Sequence, residues 1–175
     1  MLHRKRTRKA GRFFSNMIRV HLICVGNLKE KYWRDACAEY EKRLNPFCKF
    51  TLAEIPEYRL PAKPSEAQIQ AALYEEGIKI RTAAEGSVPF AMCIEGKELS
   101  SVQLAQKIED YSVQGYGTLS FLIGSSYGLC ESIKKEAAYR LSMSPMTFPH
   151  QLARVMLCEQ IYRAFQIINH GKYHK

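Results

Sequence analysis

His150 and Arg154 stand four residues apart in the stretch 141–163, LSMSPMTFPHQLARVMLCEQIYR. On a helix they share one face, so an imidazole and a guanidinium converge and can hold an anion or handle a proton. Before them Ser142, Ser144 and Thr147 bring hydroxyls, while Pro145 and Pro149 fix the backbone. That composition predicts a rigid loop capped by Thr147, with Pro149 in the first helical turn. A second reactive group is the tail 169–175, NHGKYHK. His170 and His174 offer a titratable base, Lys172 and Lys175 cations for phosphate, and Tyr173 a ring for stacking. The two histidines have no paired cysteines beside them, so their spacing does not make a zinc site. The third group is 124–128, Gly-Ser-Ser-Tyr-Gly, where a ligand can approach bare backbone. It lacks the lysine of a phosphate-cradling loop and the G-x-G-x-x-G pattern, and a plain strand-to-helix turn explains it equally well.

The elements that must position these groups alternate. An apolar run over 18–25 ends at Gly26 and predicts a strand, followed by a helix over 30–44 and a second strand over 47–55. A proline-rich, exposed loop at 56–64 precedes Ser65-x-x-Gln68, a capping box that opens a helix to about Ala84. A third strand covers 88–94, and a second capping box, Ser100-x-x-Gln103, opens a helix to about Gln114. The apolar run 118–123 predicts a fourth strand, and 130–139 a short helix. The helix over 151–168 is apolar almost all round, with Glu159, Gln160, Arg163 and Gln166 as its polar stripe and Glu159–Arg163 as an internal ion pair. Such a helix is expected to bury several sides, one of them against another subunit. Strands alternating with helices predict an α/β fold, a mostly parallel sheet with helices on both faces. Ligands of such sheets bind beyond the carboxyl ends of the strands, which makes the loops 124–128 and 141–149 the expected pocket.

Composition narrows the function classes. With 175 residues and 46% hydrophobic content, the chain is expected to form one domain over 17–175. Arg4, Lys5, Arg6, Arg8, Lys9 and Arg12 have no acid among them, so residues 1–16 carry +6 of the total +9 and leave +3 elsewhere. This segment reads as a disordered basic extension or a mis-assigned start before Met17. No signal-type apolar core and no stretch near the ~20 apolar residues of a membrane span follows it. Six scattered cysteines without C-x-x-C spacing suit buried thiols in a reducing compartment. The expectation is a cytoplasmic protein with no membrane partner and no metal.

Several stretches resemble one family in order and spacing. They are IRVHLICVGNLKEKYWRDACAEYEKRLNPF from Ile18, IEGK at 94–97, LIGSSYGL at 122–129, LSMSPMTFPHQLARVMLCEQIYRAFQI at 141–167 and the final YHK. Over 17–175 the chain is similar to the SPOUT-class ribosomal RNA methyltransferase H family, RlmH (formerly YbeA). The resemblance implies a SPOUT-type fold whose C-terminal part is tied in a trefoil knot, an exception to the rule against threaded chains. It implies S-adenosyl-L-methionine as cofactor, held by Met92, Gly124, Met143, Ser144, Pro145, Met146, Thr147 and Phe148. It further implies methylation of N3 of a pseudouridine in 23S rRNA, within the large subunit or whole ribosome, by a homodimer whose Tyr173 and His174 reach the neighbouring site. Where the family has Gly-Gly, this chain has Gly124-Ser125, and a left-handed backbone there would strain Ser125 and weaken cofactor binding.

Methyl transfer from a sulfonium needs positioning more than charge, while an imide N3 must also lose its proton. The expected catalytic set is His150, Arg154, Tyr173 and His174, with Arg154 on the substrate's oxygens and either histidine taking the proton. Arg163, Lys172 and Lys175 are the expected RNA contacts. A protein that keeps the fold and binds ribosomes without chemistry is the competing reading, with a nucleotide-binding α/β protein behind it.

Overall fold

The structure is a computed structural model, and it describes residues 17–174. The basic segment 1–16 and Lys175 therefore lie outside the described residues. Five strands form one sheet: β1 (Arg19–Val25), β2 (Lys49–Ile55), β3 (Val88–Glu98), β4 (Thr118–Ile123) and β5 (Tyr139–Ser142). Their order is β2-β1-β4-β3-β5 and every pairing is parallel. The helices are α1 (Lys31–Leu44), α2 (Glu66–Ala83), α3 (Ser101–Val113), α4 (Glu131–Glu136) and α5 (His150–Ile168).

Strand alternation divides the core into two layers, because successive side chains point to opposite faces. Val20, Leu22 and Cys24 of β1, Leu119 and Phe121 of β4 and Phe90 of β3 face α1, α3 and α5. Ile23, Val25, Ala91 and Leu122 face α2 and α4. The central β4 is buried at all six positions, as a parallel strand covered on both faces must be. Both capping boxes form: Ser65 Oγ accepts from Gln68 N and Ser100 Oγ from Gln103 N, with each glutamine returning to the cap's own amide. No helix among the described residues is long and apolar enough to cross a membrane.

Three sequence expectations need correction. Residues 139–142 form a strand, where 139 was expected to end a helix and 141–142 to open a loop; β5 pairs with the outer edge of β3. Thr147 does not cap α5, whose N-cap is Pro149 without a side-chain bond, while Ser144 Oγ accepts from Met146 N within the loop. Ser125 is not strained, since His170 is the only described non-glycine residue with positive φ. The Ser125 hydroxyl instead donates to Glu76 Oε2 at 3.0 Å.

The end of α5 shows why the chain turns there. His170 N donates to Ile167 O and Gly171 N to Gln166 O, the paired bonds of a Schellman motif. His170 takes the left-handed position at φ 54, which a side chain tolerates less well than glycine. A Cβ on Gly171 would lie 1.9 Å from Gln166 Oε1, a side-chain end that would have to swing aside, and 3.2 Å from Gln166 O.

Candidate methyl-donor site

At the carboxyl ends of β3, β4 and β5 the chain leaves a cavity of about 740 Å³, within the range of small-molecule sites. Three segments, each positioned by a strand, supply most of its lining, joined by Lys134 of α4 and Ala153 of α5. The first is 92–95 at the irregular end of β3, the second the turn 124–129 after β4, and the third the loop 141–150 between β5 and α5. Of the residues singled out in the sequence, Met92, Gly124, Met143, Ser144, Met146, Thr147, Phe148 and His150 come together here. Pro145, Arg154, Arg163, Lys172, Tyr173 and His174 are not among the lining residues.

The turn after β4 is closed against itself. Ser125 and Gly128 form an isolated bridge, Gly128 takes φ +85, and a Cβ on Gly124 would sit 2.0 Å from Gly128 O. Glycine is therefore required at 124 by the loop's own backbone, before any ligand is considered. The buried carboxylate of Glu76, 3% exposed, fixes this turn from behind. It accepts from Ser125 Oγ at 3.0 Å and from Tyr58 N at 2.9 Å, tying the glycine turn to the loop 56–64. Sequence reasoning missed Glu76 because its partners lie 18 and 49 residues away.

Arg154 does not line the cavity. Its side chain is fully buried; Nη2 donates to Val25 O and Gly26 O, both at 2.7 Å, and Nη1 to Glu54 Oε1 at 3.0 Å. Glu54 Oε1 also accepts from Leu28 N at 2.8 Å. The guanidinium thus satisfies two carbonyls at the end of β1 and one carboxylate of β2. It acts beneath the site as a clamp that holds α5 to the sheet.

His150, at the first residue of α5, is half-buried. Desolvation, and then the Arg154 charge, holds its pKa below the ordinary value, opposed by Glu57. The imidazole is accordingly neutral near pH 7 and able to accept a proton. His21 is lowered in the same direction by desolvation and by Arg19 and Lys49. Both groups prefer the neutral form in the folded state, so the unfolded chain takes up protons first as pH falls below about 6.5. Stability is thus expected to be full above that value and to be lost as pH falls below it, through the lowered folded-state pKa of each histidine. Urea unfolding should show a falling midpoint over this window, with a shallower fall in His150→Gln. A flat midpoint would contradict the assignment.

The tail packs on the far half of α5. Tyr173 Oη donates to Glu159 Oε1 at 3.2 Å, its ring lies edge-on to Tyr162 at 4.9 Å, and the Arg163 guanidinium stands 4.6 Å from its centre. Arg163 is in turn held by Glu159 through bonds of 2.9 and 2.6 Å, so the expected helix ion pair is present. Lys172 and His174 are exposed. No group of three or more potential metal ligands occurs among the described residues.

Comparison with known proteins agrees with this geometry. The family described as "Predicted SPOUT methyltransferase" matches residues 18–174. A probable methyltransferase from Bordetella pertussis Tohama I superposes with a TM-score of 0.55 at 15% identity, covering 85% of this chain and 96% of that one. A probable methylase family protein from Haemophilus influenzae Rd KW20 superposes with 0.52 at 17% identity, over 91% and 71% of the two chains. A more distant likeness, at 0.41 and 11% identity over 90% and 60%, is to the SpoU methyltransferase AviRb from Streptomyces viridochromogenes in complex with AdoMet. With nearly its whole described length matched by the family and its fold shared with two probable methyltransferases, the chain belongs to the SPOUT methyltransferases.

Proposed function

We propose that this methyltransferase is an RlmH-type enzyme that uses S-adenosyl-L-methionine to methylate N3 of a pseudouridine in 23S rRNA, on the assembled ribosome in the cytoplasm. The observation that carries the reading is the cavity itself. It lies beyond the carboxyl ends of three parallel strands, where such sheets bind ligands, and it is walled by the three segments that the family resemblance assigns to the donor. The residues present suit that ligand. Met92, Met143 and Phe148 give apolar surface for a purine, and Gly124 and the loop 143–148 bring bare backbone to its polar edge. When bound, the donor supplies an electrophilic methyl group, which passes to N3 while the electron pair of the broken bond stays on sulfur.

In this reading His150 accepts the N3 proton, since it lines the cavity and is held neutral. Arg154 positions the first turn of α5. The knot that the resemblance implies also belongs to the proposal; it is supported by the order β4-β3-β5, in which the chain returns to the sheet interior before forming its edge strand. Residues 17–175 act as one domain.

A homodimer completes the site. α5 has 19 residues, so it spans about 28 Å. His150 stands at its start beside the cavity, while Tyr173 and His174 follow its end and fold back on Tyr162. A chain's tail is therefore remote from its own cavity. Two α5 helices paired antiparallel about a twofold axis bring each tail to the partner's cavity. The half-exposed Leu152, Val155, Met156 and Ile167 offer apolar surface for that pairing. Lys172 and Arg163 then lie where RNA enters, Lys175 being the third expected contact by sequence alone, and recognition needs the ribosome because charge on the body of the chain is small.

The test is transfer of a labelled methyl group to ribosomes from a strain lacking the modification, compared with deproteinised 23S rRNA. The ribosome is expected to accept one methyl group at a pseudouridine and naked RNA far less. His150→Gln should lower the rate by about 10² to 10⁴ while donor affinity is kept. Incorporation at another base, or an unimpaired variant, would contradict the proposal.

A further inference from the structure

Among the lining residues of the cavity, Glu95 is the sole carboxylate and Lys134 the sole permanent cation. They are not free of each other. Lys134 Nζ donates to Glu95 Oε1 at 2.6 Å and to Glu131 Oε1 at 2.9 Å, and its side chain is only 15% exposed. One ammonium between two carboxylates leaves the group with a net charge of −1. Because Glu131 does not line the cavity, that excess is presented through Glu95, whose side chain is 51% exposed. Lys134, already spent on two acids, is poorly placed to receive a ligand's carboxylate.

The backbone is shaped to put Glu95 there. Both Met92 and Lys97 register with Leu141 of β5, so residues 93–96 loop out of the ladder. Such bulges re-aim side chains at the ends of strands. Gly96 permits this one: a Cβ there would lie 2.7 Å from the carbonyl carbon of Leu141 and 2.9 Å from Arg140 O. The hydrogen bond from Lys134 is also the main influence holding the Glu95 carboxyl below its usual pKa, which keeps it ionised at neutral pH.

We propose that Glu95, held by Lys134, makes the cavity prefer the positively charged methyl donor over its neutral demethylated product. The inference rests on the cavity being the donor site. S-adenosylmethionine carries a sulfonium, and transfer of the methyl group turns it into the uncharged thioether of S-adenosylhomocysteine. The remaining groups of the two ligands are alike. A carboxylate fixed at the wall favours the sulfonium by Coulomb attraction, which partial exposure reduces but does not abolish. Loss of that attraction after transfer assists product release.

The experiment is calorimetric titration of the full chain with each ligand at low salt, with thermal unfolding as a check on folding. In Glu95→Gln, affinity for S-adenosylmethionine should fall by about five- to tenfold, while that for S-adenosylhomocysteine changes by less than about twofold. Lys134→Met keeps the buried stem and removes the positive charge. It should leave S-adenosylmethionine binding equal or tighter, again with little effect on the product. Equal losses for both ligands in Glu95→Gln would overturn the inference, as would no loss for either. Weaker donor binding in folded Lys134→Met would overturn it too, by showing that the lysine itself receives the ligand. Failure of the wild-type chain to bind either ligand would instead overturn the reading of the cavity.

Discussion

Arg154→Ala is expected to cost about 3 kcal/mol of folding stability, the low end of the loss for a broken buried charge pair, because the Glu54 side chain is about a third exposed to water. The wild-type guanidinium closes three contacts at once, to Val25 O, Gly26 O and Glu54 Oε1. Alanine takes this donor from two carbonyls, leaves Glu54 with only Leu28 N as donor, and opens a void between α5 and the end of β1. Because small domains are stable by only about 5–15 kcal/mol, the variant should unfold at much lower urea. Arg154→Lys should recover only part of the loss, since an ammonium cannot reproduce the fork that spans both strands. A change below about 1 kcal/mol would show that the clamp is not structural. The same buried contacts imply that activity lost in an Arg154 variant reports on the fold and not on substrate binding.

The second large effect concerns the tail. His174→Ala is expected to abolish methyl transfer while donor affinity stays near wild type, because His174 is exposed and does not line the cavity of its own chain. Gly124→Ala is expected to fail for the opposite reason, since its Cβ would strike Gly128 O and open the donor turn. Each homodimer is then inactive. Mixed and allowed to exchange subunits, the two variants form heterodimers in which one cavity has an intact turn and receives an intact tail. Random exchange should restore roughly a quarter of wild-type activity, as half of the dimers carry one of two working sites. Verified exchange without recovery would mean that the tail serves its own subunit or only docks RNA.

What the sequence revealed and what it hid follow from the range of the interactions involved. The capping boxes at Ser65 and Ser100 were legible because each closes within four residues, and β1 and β4 because burial on both faces demands continuous apolar runs. β5 was hidden because YRLS has no pattern of its own; it becomes a strand by pairing with the edge of β3. The bulge at 93–96 was equally invisible, since it reflects the register between two strands some 45 residues apart. The buried bonds of Arg154 were hidden for a related reason. Its spacing from His150 is local and suggested a shared anion site, whereas its partners lie 100, 128 and 129 residues away. Thr147 failed as a cap because Pro149 takes that position and the hydroxyl of Ser144 organises the loop. The cavity lining was largely readable all the same, because the glycine turn follows the legible β4 on the side where parallel sheets bind ligands and the loop 141–149 is marked by its hydroxyls and prolines.

The central claim is that the cavity beyond β3, β4 and β5 holds the methyl donor, and calorimetry with S-adenosylmethionine tests it most directly. The account predicts saturable binding to the wild-type chain with one ligand per subunit. It further predicts at least about a tenfold loss in a Gly124→Ala variant that unfolds as cooperatively as wild type, because the displaced turn removes one wall of the site. Unchanged affinity in that folded variant, or no binding by the wild type, would contradict it.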